Sequence, residues 1–290
     1  MKKTGIRWFY FVLALFIVGI GAPSSLYARG KQEVSPGKQE ASPSGQEASP
    51  GGREAAPIPV TILVAAAASL RNTFEQELIP RFQAKYPHIT VEGTYDSSGK
   101  LQTQIEQGLE ADLFVSAATT QMNNLVKSGH IAGESVLPLL ENKIVLIKTA
   151  GVSTPVKDFQ TITAAAVIAL GDPASVPAGQ YAQEIFTNLG NWDQVKAKAS
   201  LGTNVTEVLN WVGEASAEVG VVYATDAAST KKVELIADAP AGSLARPVIY
   251  PAGMNAASAH GEEARLFIGF LASEEAMGVF RDFGFTAAAR

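Results

Sequence analysis

The stretch "VTILVAAAASLRNTFEQ", Val60 to Gln76, decides how the rest of the chain is read. Val60–Val64 is a short apolar, β-branched run of the kind that forms a buried strand. Leu70, Phe74 and Leu78 follow at helical spacing. Between strand and helix stand only Ala65 to Ala68 and Ser69. Tiny side chains and one hydroxyl at such a junction leave room for something to approach the backbone.

The same alternation continues along the chain. Further strand candidates are Ile89–Thr94, Asp112–Ser116, Lys143–Ile147, Ala166–Leu170, Gly220–Tyr223, Val233–Ile236 and Val248–Tyr250. Amphipathic segments such as Leu101/Ile105, Tyr181/Ile185/Leu189 and Val205/Val208/Val212 lie between them. This pattern predicts an α/β protein with mainly parallel sheets covered by helices, whose ligands bind beyond the carboxyl ends of strands.

Three more strand-to-helix junctions resemble the first. "GTYDSSGKLQTQIEQG" passes through Ser97, Ser98 and Gly99 into a helix closed by Gly108. "VIALGDPASVPAGQYAQEIFTNLG" leaves its strand at Gly171 and starts a helix near Ala178, after Pro177. "LGTNVTEVLNWV" starts one around Asn204 and Val205, with Glu207 placed for a capping box. Each alone reads as an ordinary helix cap. Four together point to an anion site, because a helix's first turn has unpaired N–H groups and partial positive charge.

Composition narrows the class. The chain has 290 residues and a formal net charge of −5. Residues 1–56 hold seven basic and four acidic groups, leaving 16 basic and 24 acidic in the remainder. That acidic body argues against nucleic acid as a partner. Cysteine is absent, which excludes disulfides, thiolate chemistry and a lipid-modified N-terminal cysteine. Lys2, Lys3 and Arg7 precede an apolar run from Trp8 to Ile20, and "SLYA" ends at Ala28. The run is shorter than the about 20 residues of a membrane span, so residues 1–28 read as a cleaved export signal. Residues 29–57 carry the units "GKQEVSP", "GKQEASP", "SGQEASP" and "GGREAAP". A proline in every unit forbids a continuous helix, and the composition predicts a disordered tether.

From "AAASL", "SSGKLQTQIEQG", "ADLFVSA", "GDPASVPAGQYA", "VGVVYATDA" and "GVFRDFGF", the region Val60 to Thr286 resembles the ModA-type molybdate-binding proteins, the periplasmic solute receptors of molybdate ABC transporters. The resemblance implies a two-lobed periplasmic-binding-protein fold (type II), with lobe I at 58–140 plus 247–290 and lobe II at 141–246. Two crossings between lobes would form the hinge. It implies an oxyanion held by Ser69, Ser98, Ala178, Val205 and Tyr223, the alanine and valine through N–H groups alone. It further implies a monomer that binds molybdate or tungstate and delivers it to an inner-membrane ABC permease, with no cofactor and no enzymatic activity. Without the resemblance, Tyr223 at a strand end reads equally as a structural tyrosine.

Asp96, two residues before Ser98, is awkward for anion binding unless its side chain turns away. Ala118 stands where many relatives of this type carry an acidic residue. Arg71 and Lys100 lie two residues past the proposed serines and read as solvated surface charges. Two alternatives remain open: a receptor for another oxyanion such as sulfate or phosphate, and an enzyme built on the same fold. Catalysis has little support. His88, His130 and His260 lie in no triad-like or metal-binding motif, and only Asp96 and Asp172 fall near the four helix starts.

Overall fold

A computed structural model describes residues 58–289. The expected signal segment 1–28 and tether 29–57 lie outside the described residues. Among these, eleven strands occur in chain order as β1 (Val60–Ala67), β2 (Ile89–Asp96), β3 (Leu113–Val115), β4 (Leu137–Asn142), β5 (Ile144–Thr149), β6 (Ile168–Gly171), β7 (Ala199–Gly202), β8 (Val219–Tyr223), β9 (Val233–Asp238), β10 (Val248–Met254) and β11 (Thr286–Ala287). They form two sheets, in the orders β11-β4-β10-β3-β1-β2 and β7-β6-β8-β5-β9. The chain leaves the first sheet between Asn142 and Ile144 and returns between Asp238 and Val248. Each sheet with its helices is one lobe, and the fold is α/β and two-lobed.

The sheets are mixed rather than mainly parallel. Strands linked through helices, β2-β1-β3 and β7-β6-β8, are parallel. The remaining neighbours pair antiparallel. A parallel pair needs a helical crossover. Strands entering a sheet straight from the other lobe lack one.

In the first sheet the two-residue period of β1 sends Ile62, Val64 and Ala66 to one core and Ala65 to the other. The first core is aromatic: Phe74, Phe82 and Phe267 meet edge-on or tilted, with centroids 4.8–6.3 Å apart alongside Phe270 and Phe280. Phe267 and Phe280 come from the last two helices, Gly261–Leu271 and Glu274–Asp282. The helical stretch after β1 opens as a 3₁₀ turn at Ala68–Leu70, continues as α1 (Arg71–Thr73), widens into a π turn at Phe74–Leu78 and closes as α2 (Ile79–Lys85). Pro80 explains the widening. It has no N–H to donate and its ring crowds the carbonyl of Gln76 four residues earlier.

Three further helices matter for the site: α3 (Ser98–Glu106), α4 (Thr119–Lys127) and α5 (Pro177–Asn188). After α6 (Trp192–Lys196) come α7 (Val205–Gly213) and α8 (Ala224–Ala228). In "GDPASVPAG" two glycines bring the start of α5 onto the end of β6. A Cβ on Gly179 would lie 2.0 Å from the Gly171 carbonyl oxygen, and one on Gly171 would lie 2.5 Å from Val176. No side chain fits in that contact.

Candidate functional site

The carboxyl ends of β1, β2, β6 and β8 face one another across the two lobes. Between them lies a small cavity of about 10 Å³. Ser69, Ser98, Ala178, Val205 and Tyr223, drawn from five separate segments, all line it, together with Ala67, Ala68, Asp96, Ser97, Ala117, Val176 and Pro177. The five residues expected from the sequence are therefore brought together. Ser98, Ala178, Val205 and Tyr223 are at most 4% exposed, so the lobes are closed over the cavity.

The helix starts supply donors. Ser97 caps α3 by accepting from Lys100 N–H, and Asn204 caps α7 by accepting from Glu207 N–H at 3.0 Å. Glu207 accepts instead from Thr203 N–H at 2.6 Å, one residue before the cap, so the expected capping box is not formed. Val176, with no polar side chain, precedes α5. These caps use N–H groups of the third helical residue. The N–H groups of Ser98, Ala178 and Val205 make no hydrogen bond among the described residues, as expected of first-turn donors. The helix starting at Tyr223 is different, because the Asp226 carboxylate accepts the Tyr223 N–H and closes that end.

The hydroxyls are also oriented. Ser98 Oγ accepts the Ala117 N–H at 3.0 Å, which leaves its own proton for the cavity. Ser69 Oγ lies 3.1 Å from the Tyr250 hydroxyl. Burial pushes the Tyr223 phenol well above its usual range, so it stays protonated and can only be a neutral donor or acceptor. No lysine or arginine lines the cavity.

Asp96 does not present a free carboxylate. Its oxygens accept from Ser97 N–H at 2.7 Å, from Lys100 Nζ at 3.3 and 3.4 Å, and from Asn204 Nδ2 at 3.4 Å. Lys100 thus pairs with Asp96 while its side chain stays partly exposed; Arg71 stacks 4.7 Å over the Tyr95 ring. Ala118 is buried at the start of α4, its N–H donating to Ser116 Oγ.

The Asn204–Asp96 contact also joins the lobes, as do three others. Gly99 N–H donates to the Ser175 carbonyl at 2.9 Å, Gln121 Nε2 to Gln180 Oε1 at 3.1 Å, and the Tyr223 hydroxyl to the Ala117 carbonyl at 3.4 Å. None of these pairings is legible in the sequence, because the partners lie 59 to 108 residues apart where their separation is given. Ser97 was adjacent to an expected residue and signalled only a cap.

The chain matches the family of bacterial extracellular solute-binding proteins over residues 62–286. It is 35% identical over 232 residues to the molybdate-binding protein ModA of Haemophilus influenzae, covering 78% of this chain and 90% of that one. The chain belongs to this family, and within it to the ModA type. The resemblance drawn from its motifs is borne out. It is also 42% identical over 228 residues to YvgL of Bacillus subtilis, provisionally named an ABC transporter substrate-binding lipoprotein, across 79% of this chain and 87% of that one. A solved structure, the periplasmic molybdate-binding protein of Azotobacter vinelandii, is 21% identical and superposes with a TM-score of 0.68 over 79% of this chain and all of that one. At that identity the likeness is one of fold. The ModA type is a class of solute receptors rather than of enzymes.

Behind Tyr223, Asp226 is 5% exposed, and burial raises its carboxyl from 3.8 to about 7. The folded state therefore holds a proton that the unfolded chain releases near pH 4. Stability contributed by this group is full below pH 4 and falls as pH rises through about 7. Asp226→Asn keeps an acceptor for Tyr223 N–H but removes the titration. Urea unfolding at pH 5, 6, 7 and 8 is expected to show the variant gaining stability relative to wild type as pH rises.

Proposed function

We propose that the protein is an extracytoplasmic receptor that traps molybdate, and also tungstate, between its lobes and hands it to an ABC permease. The observation that carries this reading is the convergence of three unpaired helix-start N–H groups, two serine hydroxyls and a buried neutral tyrosine on one closed cavity with no cationic side chain. Ser69, Ser98, Ala178, Val205 and Tyr223 would be the ligands. The ModA name of the Haemophilus influenzae relative supports molybdate as the cargo. On this reading residues 58–140 with 247–290 and residues 141–246 are the moving bodies, residues 1–28 an export signal and residues 29–57 a tether in the periplasm.

The energetics are sufficient. An anion at a helix start gains about 0.3–2 kcal/mol from the dipole. Each hydrogen bond to a charged acceptor adds about 1.5–3 kcal/mol. Several such terms acting together can hold a dianion without a counter-charge.

Thermal unfolding with molybdate, tungstate, sulfate and phosphate tests the proposal. A ligand at about 1,000 times its Kd stabilises by about 4 kcal/mol, roughly 10 °C in Tm for a domain of this size. The expected result is a rise of that order with molybdate and tungstate and none with sulfate or phosphate. A rise with sulfate or phosphate alone would keep the receptor and discard molybdate; no rise with any would discard the oxyanion site. Ser98→Ala is expected to weaken molybdate binding by about 10- to 100-fold, the size of one lost charged hydrogen bond, and to lower the unliganded Tm by a few degrees without unfolding the protein, because Ala117 N–H loses its acceptor.

Closure gives a second prediction. A Cβ on Gly99 would stand 2.4 Å from the Ser175 carbonyl oxygen of the other lobe. Gly99→Ala suits a helix and should leave the unliganded protein at least as stable. It is expected to hold the lobes apart and weaken molybdate binding about tenfold or more, in line with the cost of overpacking. Calorimetric titration reads the affinity, and small-angle scattering reads the missing compaction on adding molybdate.

A further inference from the structure

Tyr250 belongs to β10, on the return crossing into the first lobe, and its side chain is fully buried. Its ring packs edge-on against Tyr223 at 5.4 Å and Phe285 at 5.5 Å. Its hydroxyl is hydrogen-bonded to Ser69 Oγ at 3.1 Å and to Asn142 Nδ2 at 3.3 Å, with the Tyr223 hydroxyl also beside it. Neither the family resemblance nor the cavity wall includes Tyr250 or Asn142.

The direction of these hydrogen bonds can be worked out. Asn142 Oδ1 accepts the Lys143 N–H at 2.8 Å. That bond fixes the amide, so the nitrogen faces Thr225 Oγ1 at 2.9 Å and the Tyr250 hydroxyl. An amide nitrogen only donates. The Tyr250 oxygen is therefore an acceptor from Asn142, and its single proton is free for Ser69 Oγ. Burial pushes the Tyr250 phenol well above its usual range, so the proton stays on. Once Ser69 Oγ accepts from Tyr250, its own proton is left to point into the cavity it lines. In the reverse arrangement Ser69 would donate to Tyr250 and present lone pairs to an incoming anion.

We propose that Tyr250, held by Asn142, is a positioning residue: a one-way relay from Asn142 through Tyr250 to Ser69 sets the serine hydroxyl as a donor toward the oxyanion. The relay rests on the oxyanion reading given above. It begins at the first crossing between the lobes, where Asn142 also reaches Thr225 of the second lobe, so it ties the donor state of Ser69 to the geometry of the hinge.

The test is calorimetric titration of molybdate into the full chain carrying Tyr250→Phe, Ser69→Ala, Ser98→Ala and the two double combinations with Tyr250→Phe. Phe keeps the ring contacts and removes only the hydroxyl. The expected result is binding about tenfold weaker for Tyr250→Phe, the scale of one hydrogen bond to a charged acceptor. No further loss should appear when Tyr250→Phe is added to Ser69→Ala, and a full further tenfold when it is added to Ser98→Ala. A purely structural role would lower Tm and leave this pattern absent. Unchanged affinity in Tyr250→Phe, or equal losses in both serine backgrounds, would overturn the relay while leaving the receptor intact. Failure of wild type to bind molybdate would instead remove the proposed function, and the relay with it.

Discussion

Three backbone N–H groups, of Ser98, Ala178 and Val205, end up buried and unpaired where helices from both lobes meet. A buried donor without a partner costs about 1–3 kcal/mol, so closure over an empty cavity is penalised three times. In an open arrangement water would satisfy all three. On the proposed reading an oxyanion would satisfy them in the closed one, together with the hydroxyls of Ser69 and Ser98. The same groups that would bind the anion would thus make closure depend on it. Differential affinity for the two states is what permits a ligand to shift them.

That arrangement dictates where side chains must be absent. The start of α3 comes within hydrogen-bond distance of Ser175 because Gly99 has no Cβ. The start of α5 lies on the end of β6 because Gly171 and Gly179 have none. Ala65, Ala66 and Ala67 are 0–2% exposed, packed on both faces of the first sheet. Hydrogen bonds across the lobes around the cavity accompany an edge-on contact of the Tyr223 and Tyr250 rings.

Much of this was legible because it is local. Apolar runs marked eight of the strands, and small residues followed by helical spacing marked the four junctions. What was missed is non-local or short. β4, with Pro138 and the polar Glu141 and Asn142 in "LPLLEN", does not read as a strand; it pairs between β10 and β11. The exposed β7 and the two-residue β11 lack an apolar signal. Parallel pairing was overestimated because strand alternation reveals helical crossovers but not which sheet a strand enters. Asp96 looked unsuited to an anion site because its partners were hidden: Lys100 sits one helical turn on, and Asn204 is 108 residues away. Tyr250 carried no signal, since Ser69 is 181 residues from it.

Neutral donors have a consequence for release as well as capture. A salt-bridged anion would leave a buried lysine or arginine uncompensated on departure, a loss of several kcal/mol that has to be recovered. Here each donor is an N–H or O–H that water can take over as soon as the lobes part. The one carboxylate in the wall, Asp96, is already matched by Lys100 and by Ser97 N–H. Discrimination then cannot come from charge, since dianions of one shape present the same charge to the same donors. On the proposed reading it would come from the spacing of donors fixed at both lobes, set by closure through Gly99, Asn204 and Tyr223. Selectivity and reversibility would then be two results of one choice, to bind charge with dipoles.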